Sequence, residues 1–241
     1  ANGTHASYSS SGSGLWISAP AGENGRDISI IGTGYGPYTP AIMTTDQSTC
    51  DKGYVRSNLV SYANAFENKG NHSSNTICNY TSTFTGTSAA APVVTGSIAI
   101  LLEASPNLTW RDIKHILASS AVQVDPTIEA TVFDDYIAES SWTTNSAGYK
   151  FHNYYGFGGI DVSAALILAK NYTLGSLGTF ITSNERLSIT LNASIPDNSN
   201  TGIATVITDS NNLTIEAINV NLCLSHDRPS DLGVALTSPG G

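Results

Sequence analysis

Phe84-Thr85-Gly86-Thr87-Ser88-Ala89-Ala90-Ala91-Pro92 runs straight into an apolar stretch, Val93-Val94-Thr95-Gly96-Ser97-Ile98-Ala99-Ile100-Leu101-Leu102. The order of these parts decides the reading of the chain. A β-type segment, Ser82-Thr83-Phe84-Thr85, leads into a glycine, then a serine, then small residues that open a helix. Such a turn holds a hydroxyl at a helix N-terminus, where unpaired N–H groups and the positive end of the helix dipole favour developing negative charge. Acyl transfer needs such a place, because its tetrahedral intermediate carries an oxyanion. Ser88 is therefore the candidate nucleophile, its own N–H a candidate oxyanion donor, and Thr87 a supporting residue. Counted from Ser88, Pro92 is expected in the first helical turn, where its missing N–H costs little. The competing reading of Gly86-Thr87-Ser88 is an ordinary cap ahead of an alanine-rich core helix.

Outward from this point, the apolar spacing predicts helices over about 88–104 and 110–120. The second is opened by Thr109 with Asp112 three residues on, an approximate capping box. Asp161 can cap a last helix over about 162–170. Before the serine, Leu15 to Pro20 reads as a short buried strand ending at proline. Residues 22–80 are loop-rich, with one strand near Ala41–Thr45, and residues 121–150 read as irregular. After Thr173 the character changes to short alternating runs between turn residues: Leu187–Leu191, Ala204–Thr208, Leu213–Ile215 and residues 217–224. Regular short strands of this kind predict a β-sandwich.

The chain has 241 residues, 40% of them hydrophobic, enough to bury a core in one large domain or two. A net charge of −9 on only ten basic residues, scattered from Arg26 to Arg228, leaves no patch to neutralise phosphates. Nucleic acid is not an expected partner. The apolar run at residues 98–102 is too short to span a bilayer, so no membrane span is expected. Abundant Asn, Ser, Thr and Gly suit a secreted or cell-surface protein. Three cysteines are present. Cys50 and Cys78 bracket a polar loop with no metal-ligand spacing around either, and are read as a disulfide rather than two free thiols, in keeping with an oxidising compartment. Cys223 falls with the polar set of its alternating run; a partner elsewhere and a free thiol both remain open. Seven Asn-x-Ser/Thr sequons occur, and they signify glycosylation only in a eukaryotic secretory route.

The segment 84–92 closely resembles the serine motif of the subtilisin-like proteases, Gly-Thr-Ser-x-Ala-x-Pro. Leu102-Glu103-Ala104-Ser105-Pro106-Asn107-Leu108-Thr109-Trp110-Arg111-Asp112-Ile113 resembles the helix-turn-helix after the serine in the kexin and furin branch. Tyr154-Tyr155-Gly156-Phe157-Gly158-Gly159-Ile160-Asp161 is similar to the closing element of that catalytic domain, and residues 226–240 to the P domain that follows it. The resemblance implies an α/β subtilisin-like partial domain over 1–173, three-layered with a mostly parallel sheet, followed by a partial all-β, jelly-roll-like P domain over 174–241. It also implies a serine-type endopeptidase with a protein or peptide substrate. Calcium is implied for the full-length parent, with no ligands identified among these residues.

The family keeps its triad in the order Asp, His, Ser. Of the histidines at 5, 72, 115, 152 and 226, none stands in the His-Gly-Thr context the base requires. His5 is read as a surface-loop residue, His115 as a packing or solvent-facing one, and Asn2 as too late for the oxyanion asparagine. The expectation is a fragment of a secreted endopeptidase that lacks the catalytic Asp and His and needs the missing N-terminal part of the catalytic domain as partner. In isolation it is expected to be inactive. A non-catalytic surface or binding module derived from such a protease is the alternative, and amidase or esterase chemistry a remote third. Ser10 stands where eukaryotic convertases tend to carry a calcium-linked acid, which weakens any transfer of dibasic specificity. Ala21 replaces the usual glycine of the Ala-Pro-Gly turn.

Overall fold

The computed structural model describes residues 3–31, 39–58, 61–134, 136–182, 192–199, 201–208 and 212–238. The chain divides into two compact units, one of residues 1–129 with 140–174, the other of residues 130–139 with 175–241. The element order is α1 (Ile28–Ile31), β1 (Ile42–Thr45), β2 (Tyr80–Phe84), α2 (Thr87–Ala104), α3 (Trp110–Ser120), β3 (Thr131–Phe133), β4 (Tyr136–Glu139), β5 (Thr143–Thr144), β6 (Lys150–Phe151) and α4 (Val162–Lys170). Single 3₁₀ turns occur at Ala65–Glu67 and Pro229–Asp231.

The core of the first unit is a three-helix pack. Buried Ile113, Ile116 and Leu117 give α3 one apolar stripe at the helical spacing. It meets Leu101 of α2, Leu108 of the connecting turn, and Ala165 and Ala169 of α4. The caps expected from the sequence set the helix starts. Thr109 and Asp112 form a reciprocal capping box on α3, and the Asp161 carboxylate accepts the Ala164 N–H at 2.9 Å. Asp112 also ties two helices together. Its Oδ2 accepts from Thr109 N–H at 2.9 Å and from Thr109 Oγ1 at 2.7 Å, and its Oδ1 accepts from the Tyr172 hydroxyl just past α4 at 2.9 Å. Burial pushes the Asp112 carboxyl up, but the Thr109 and Tyr172 hydrogen bonds and the nearby Arg111 charge outweigh it and hold the pKa below the ordinary value.

A mostly parallel sheet is not what the described residues form. Their sheets are three antiparallel pairs, β1–β2, β3–β4 and β5–β6. The expected strand Leu15–Pro20 reduces to one parallel bridge, Ser18 to Gly159, with Gly159 also bridging Val122. Ser18 N–H donates to Gly158 O at 2.8 Å and Ile160 N–H to Ser18 O at 2.9 Å. The next donor on this edge would be residue 20, and Pro20 has no N–H, so the ladder stops. Residues 121–150 are more ordered than expected, since β3–β4 pairs Val132 with Ile137 and β5–β6 pairs Thr143 with Phe151.

In the second unit, residues 204–208, 213–215 and 217–224 contain no strand, and Leu187–Leu191 lies outside the described residues. Val206 is 84% exposed and Ile215 68%. An alternating run supplies a face but not the neighbour that must pair its backbone and cover that face.

His5 lies in an irregular segment and is half-buried. It stacks on Tyr154 with ring centroids 4.1 Å apart, and its Nε2 is buried. Tyr155 beside it stacks on Trp142, and burial first, with the Asp125 charge second, raises its phenol pKa.

Candidate functional site: the turn that presents Ser88

Strand β2 is fixed along its whole length before it delivers the chain to Ser88. At its start, the Cys50–Cys78 disulfide closes with Cα atoms 5.0 Å apart, as the sequence suggested. The Asn75 side chain brackets Tyr80, donating to its carbonyl at 2.8 Å and accepting its N–H at 3.2 Å. In the middle, β1 pairs antiparallel with β2, Thr44 opposite Thr81 and Ile42 opposite Phe84. On the other side sits the buried carboxylate of Glu67. Its Oε1 accepts from Ser82 N–H, from Ser82 Oγ at 2.9 Å and from Thr81 Oγ1 at 3.1 Å. Asn64, also buried, donates to Ser82 Oγ at 3.1 Å and to Gly25 O at 2.7 Å. These polar groups tolerate burial because each has partners.

At the end of β2 the chain turns through Gly86, with φ 95° and ψ 168°, a backbone state that costs any residue with a Cβ. Gly86 is the N-cap of α2, so Thr87 and Ser88 are its first two residues. Their N–H groups stand where a helix has no acceptor of its own. Ala89 N–H donates to Gly86 O at 2.8 Å and closes the first turn. Thr87 and Ser88 are both exposed, and Ser88 Oγ has no hydrogen-bond partner among the described residues. Pro92 is the sixth residue of α2, not part of its first turn. The donor it lacks is the one that would reach the Ser88 carbonyl, four residues back.

The histidines are engaged elsewhere. Nδ1 of His72, His152 and His226 accepts backbone N–H groups of Ser74, Tyr154 and Arg228, and His115 contacts Tyr149 and Tyr172. The structure thus brings together Ser88, Thr87 and the helix N-terminus, with the disulfide at the far end of the same strand. Sequence reasoning missed Glu67, Asn64 and Tyr8, which hold the strand and turn. Among the described residues no group of three His, Cys, Asp or Glu side chains is disposed to hold a metal ion.

A strand, a glycine at positive φ and an exposed serine at the head of an apolar helix together make the turn at Ser88. The chain belongs to the subtilase family, whose model matches residues 1–158. It is 35% identical over 252 residues to the Aeromonas extracellular serine protease of Aeromonas sobria, covering all of this chain and 38% of that protein. It is 27% identical over 235 residues to human proprotein convertase subtilisin/kexin type 6, covering 94% of this chain and 23% of the convertase. The crystal structure of the Aeromonas sobria serine protease superposes with a TM-score of 0.60 at 37% identity, over 71% of this chain and 28% of the other. The fold is subtilisin-like, on the kexin-like side of the family. The chain spans well under half the length of these relatives.

α2 has 18 residues and a mean hydropathy of 1.4, which by length and composition alone is enough to cross a membrane. The apolar run at residues 98–102 is only part of it. Its contacts with α4, its buried Leu101 and the family match across its full length make it a core helix of the domain.

Proposed function

We propose that this chain carries the nucleophile of a secreted serine endopeptidase. The observation that supports it is Ser88 itself: exposed, unpartnered at Oγ among the described residues, and second in an apolar helix whose first N–H groups have no intrahelical acceptor. Ser88 Oγ attacks the scissile carbonyl of a protein or peptide substrate and forms an acyl-enzyme, with the peptide's amine as leaving group. The Ser88 N–H donates to the oxyanion, and Thr87 assists at the helix end. The proton on Ser88 needs a base, and no described histidine bonds its hydroxyl, so on this reading base, orienting carboxylate and second oxyanion donor are supplied by the longer protein. The chain alone is therefore inactive. Residues 1–173 form part of the peptidase domain, and residues 174–241 part of a P-type β-sandwich whose strands form when the remainder of the sheet is present.

A fluorophosphonate probe applied to the longer protein should label Ser88, and Ser88→Ala should abolish both labelling and hydrolysis of a fluorogenic peptide. A Ser88→Ala protein that still cleaves would refute the assignment. Labelling absent from a folded wild-type protein would favour the non-catalytic module.

A further inference from the structure

The turn before Ser88 is held by a residue outside its motif. Gly86 N–H donates to the hydroxyl of Tyr8 at 3.1 Å, across 78 positions of sequence. The same hydroxyl donates its proton to the carbonyl of Gly22. Next to this tie, Thr85 Oγ1 donates to the carbonyl of Glu23, so two consecutive turn residues are bound to the segment 22–23. That segment is itself fixed. Gly22 has φ 72°, and a Cβ there would lie 2.5 Å from Cα of Ala41, while Glu23 N–H donates to Pro40 O at 3.0 Å. The Cβ-free residue of this turn is thus Gly22, one place after Ala21.

We propose that Tyr8 is a positioning residue for the nucleophile, a role that rests on the reading of Ser88 given above. The physical need is specific to Gly86. This N-cap has no side chain to bond the helix end, and glycine has the widest backbone freedom of any residue. Ser88 Oγ stands roughly 6 Å beyond the Gly86 dihedrals, so a rotation of about 10° there moves it about 1 Å, a displacement able to cost up to about 100-fold in rate. The Tyr8 hydroxyl removes that freedom by accepting the Gly86 N–H and anchoring it to a segment packed on β1. The Tyr8 ring is 41% exposed, so its hydroxyl, not its burial, is the functional part.

The test is Tyr8→Phe in the intact protein that contains these residues, with Ser9→Ala as a control in the same loop. Exchange of the Gly86 amide, read by NMR or electron-transfer fragmentation, should quicken by about 10-fold in Tyr8→Phe and stay unchanged in Ser9→Ala. Turnover of a fluorogenic peptide should show kcat lowered about 10-fold at unchanged KM, because the tie acts on the reacting atom and not on substrate binding. Tyr8→His, which restores a polar group on a ring, should recover part of kcat. Unchanged Gly86 exchange in Tyr8→Phe overturns the tie. Quickened exchange with unchanged kcat overturns the positioning role while leaving the tie. Wild-type protein without Ser88-dependent turnover overturns the peptidase reading and the positioning role with it, and the exchange result then still separates a tied turn from an untied one.

Discussion

Replacing Asp112 by alanine should unfold the three-helix pack more than any other single polar change in it. Asp112 is 4% exposed and accepts three hydrogen bonds, two from Thr109 and one from Tyr172. Thr109 is exposed, so water can replace the carboxylate there, and each of its two bonds is worth about 0.5–1 kcal/mol. Tyr172 is half-buried and loses a charged acceptor, which costs about 1.5–2 kcal/mol. The total is about 3 kcal/mol, a large share of the stability of an ordinary domain. The pH dependence has a definite sign. Because the folded pKa lies below the unfolded value of about 3.9, the contribution is present above that value and lost as pH falls through the folded one. Urea unfolding followed by far-UV circular dichroism at pH 7 should give the full gap between wild type and Asp112→Ala, and the gap should shrink steadily below about pH 4. Asp112→Asn, which resembles the protonated acid, should lie between them at pH 7 and approach wild type in acid. A gap below about 1 kcal/mol at pH 7, or one that does not respond to acid, would refute the reasoning.

Three further outcomes follow from the same geometry. One thiol, exposed Cys223, should react with a thiol reagent before reduction and three after, and loss of the Cys50–Cys78 link (separation 28) should cost about 3.5 kcal/mol in the chain-entropy picture; two or more reactive thiols in unreduced native protein would contradict the pairing. Leu101→Ala, at a fully buried position, should cost about 3–4 kcal/mol with Ser88 left in place; a cost under 1 kcal/mol would show that α2 is not packed there. Ser88→Ala, at an exposed and unpartnered side chain, should change stability by less than about 0.5 kcal/mol, so a large fall in melting temperature would reveal a structural role for the hydroxyl.

The helices were legible because their signals are local. Thr109 with Asp112, and Asp161, are caps written in three or four consecutive residues, and the apolar spacing of Ile113, Ile116 and Leu117 needs no knowledge of what it meets. The hairpins inside 121–150 carry a weaker local signal. Thr131-Val132-Phe133 and Tyr136-Ile137 are β-prone runs around an Asp-Asp turn, with Asp134 at φ 50°. Asn145 likewise closes the second turn, its Oδ1 accepting from Ala147 N–H and Tyr149 N–H. The ties around Ser88 carried no such signal. Tyr8 to Gly86 and Glu67 to Ser82 join residues that share no period and no motif, and only the folded chain shows that a hydroxyl or carboxylate meets a particular N–H.

α2 carries this contrast within one element. A helix apolar on all sides belongs inside a protein, yet of its 18 residues only Ala89, Ser97 and Leu101 are buried here, and Ile100 is 46% exposed. Its open side also includes Ala91, Gly96 and Ala99, small residues that permit close approach by another element. Its two mid-helix hydroxyls bond within the helix, Thr95 Oγ1 donating to Ala91 O at 2.9 Å and Ser97 Oγ to Val93 O at 2.7 Å. With Glu103 as its single charged residue, the helix is more apolar than the described residues cover. The same element that lifts Ser88 to its surface is the one whose remaining faces are uncovered. Among the described residues, the serine at the head of α2 and the apolar faces behind it are thus open together.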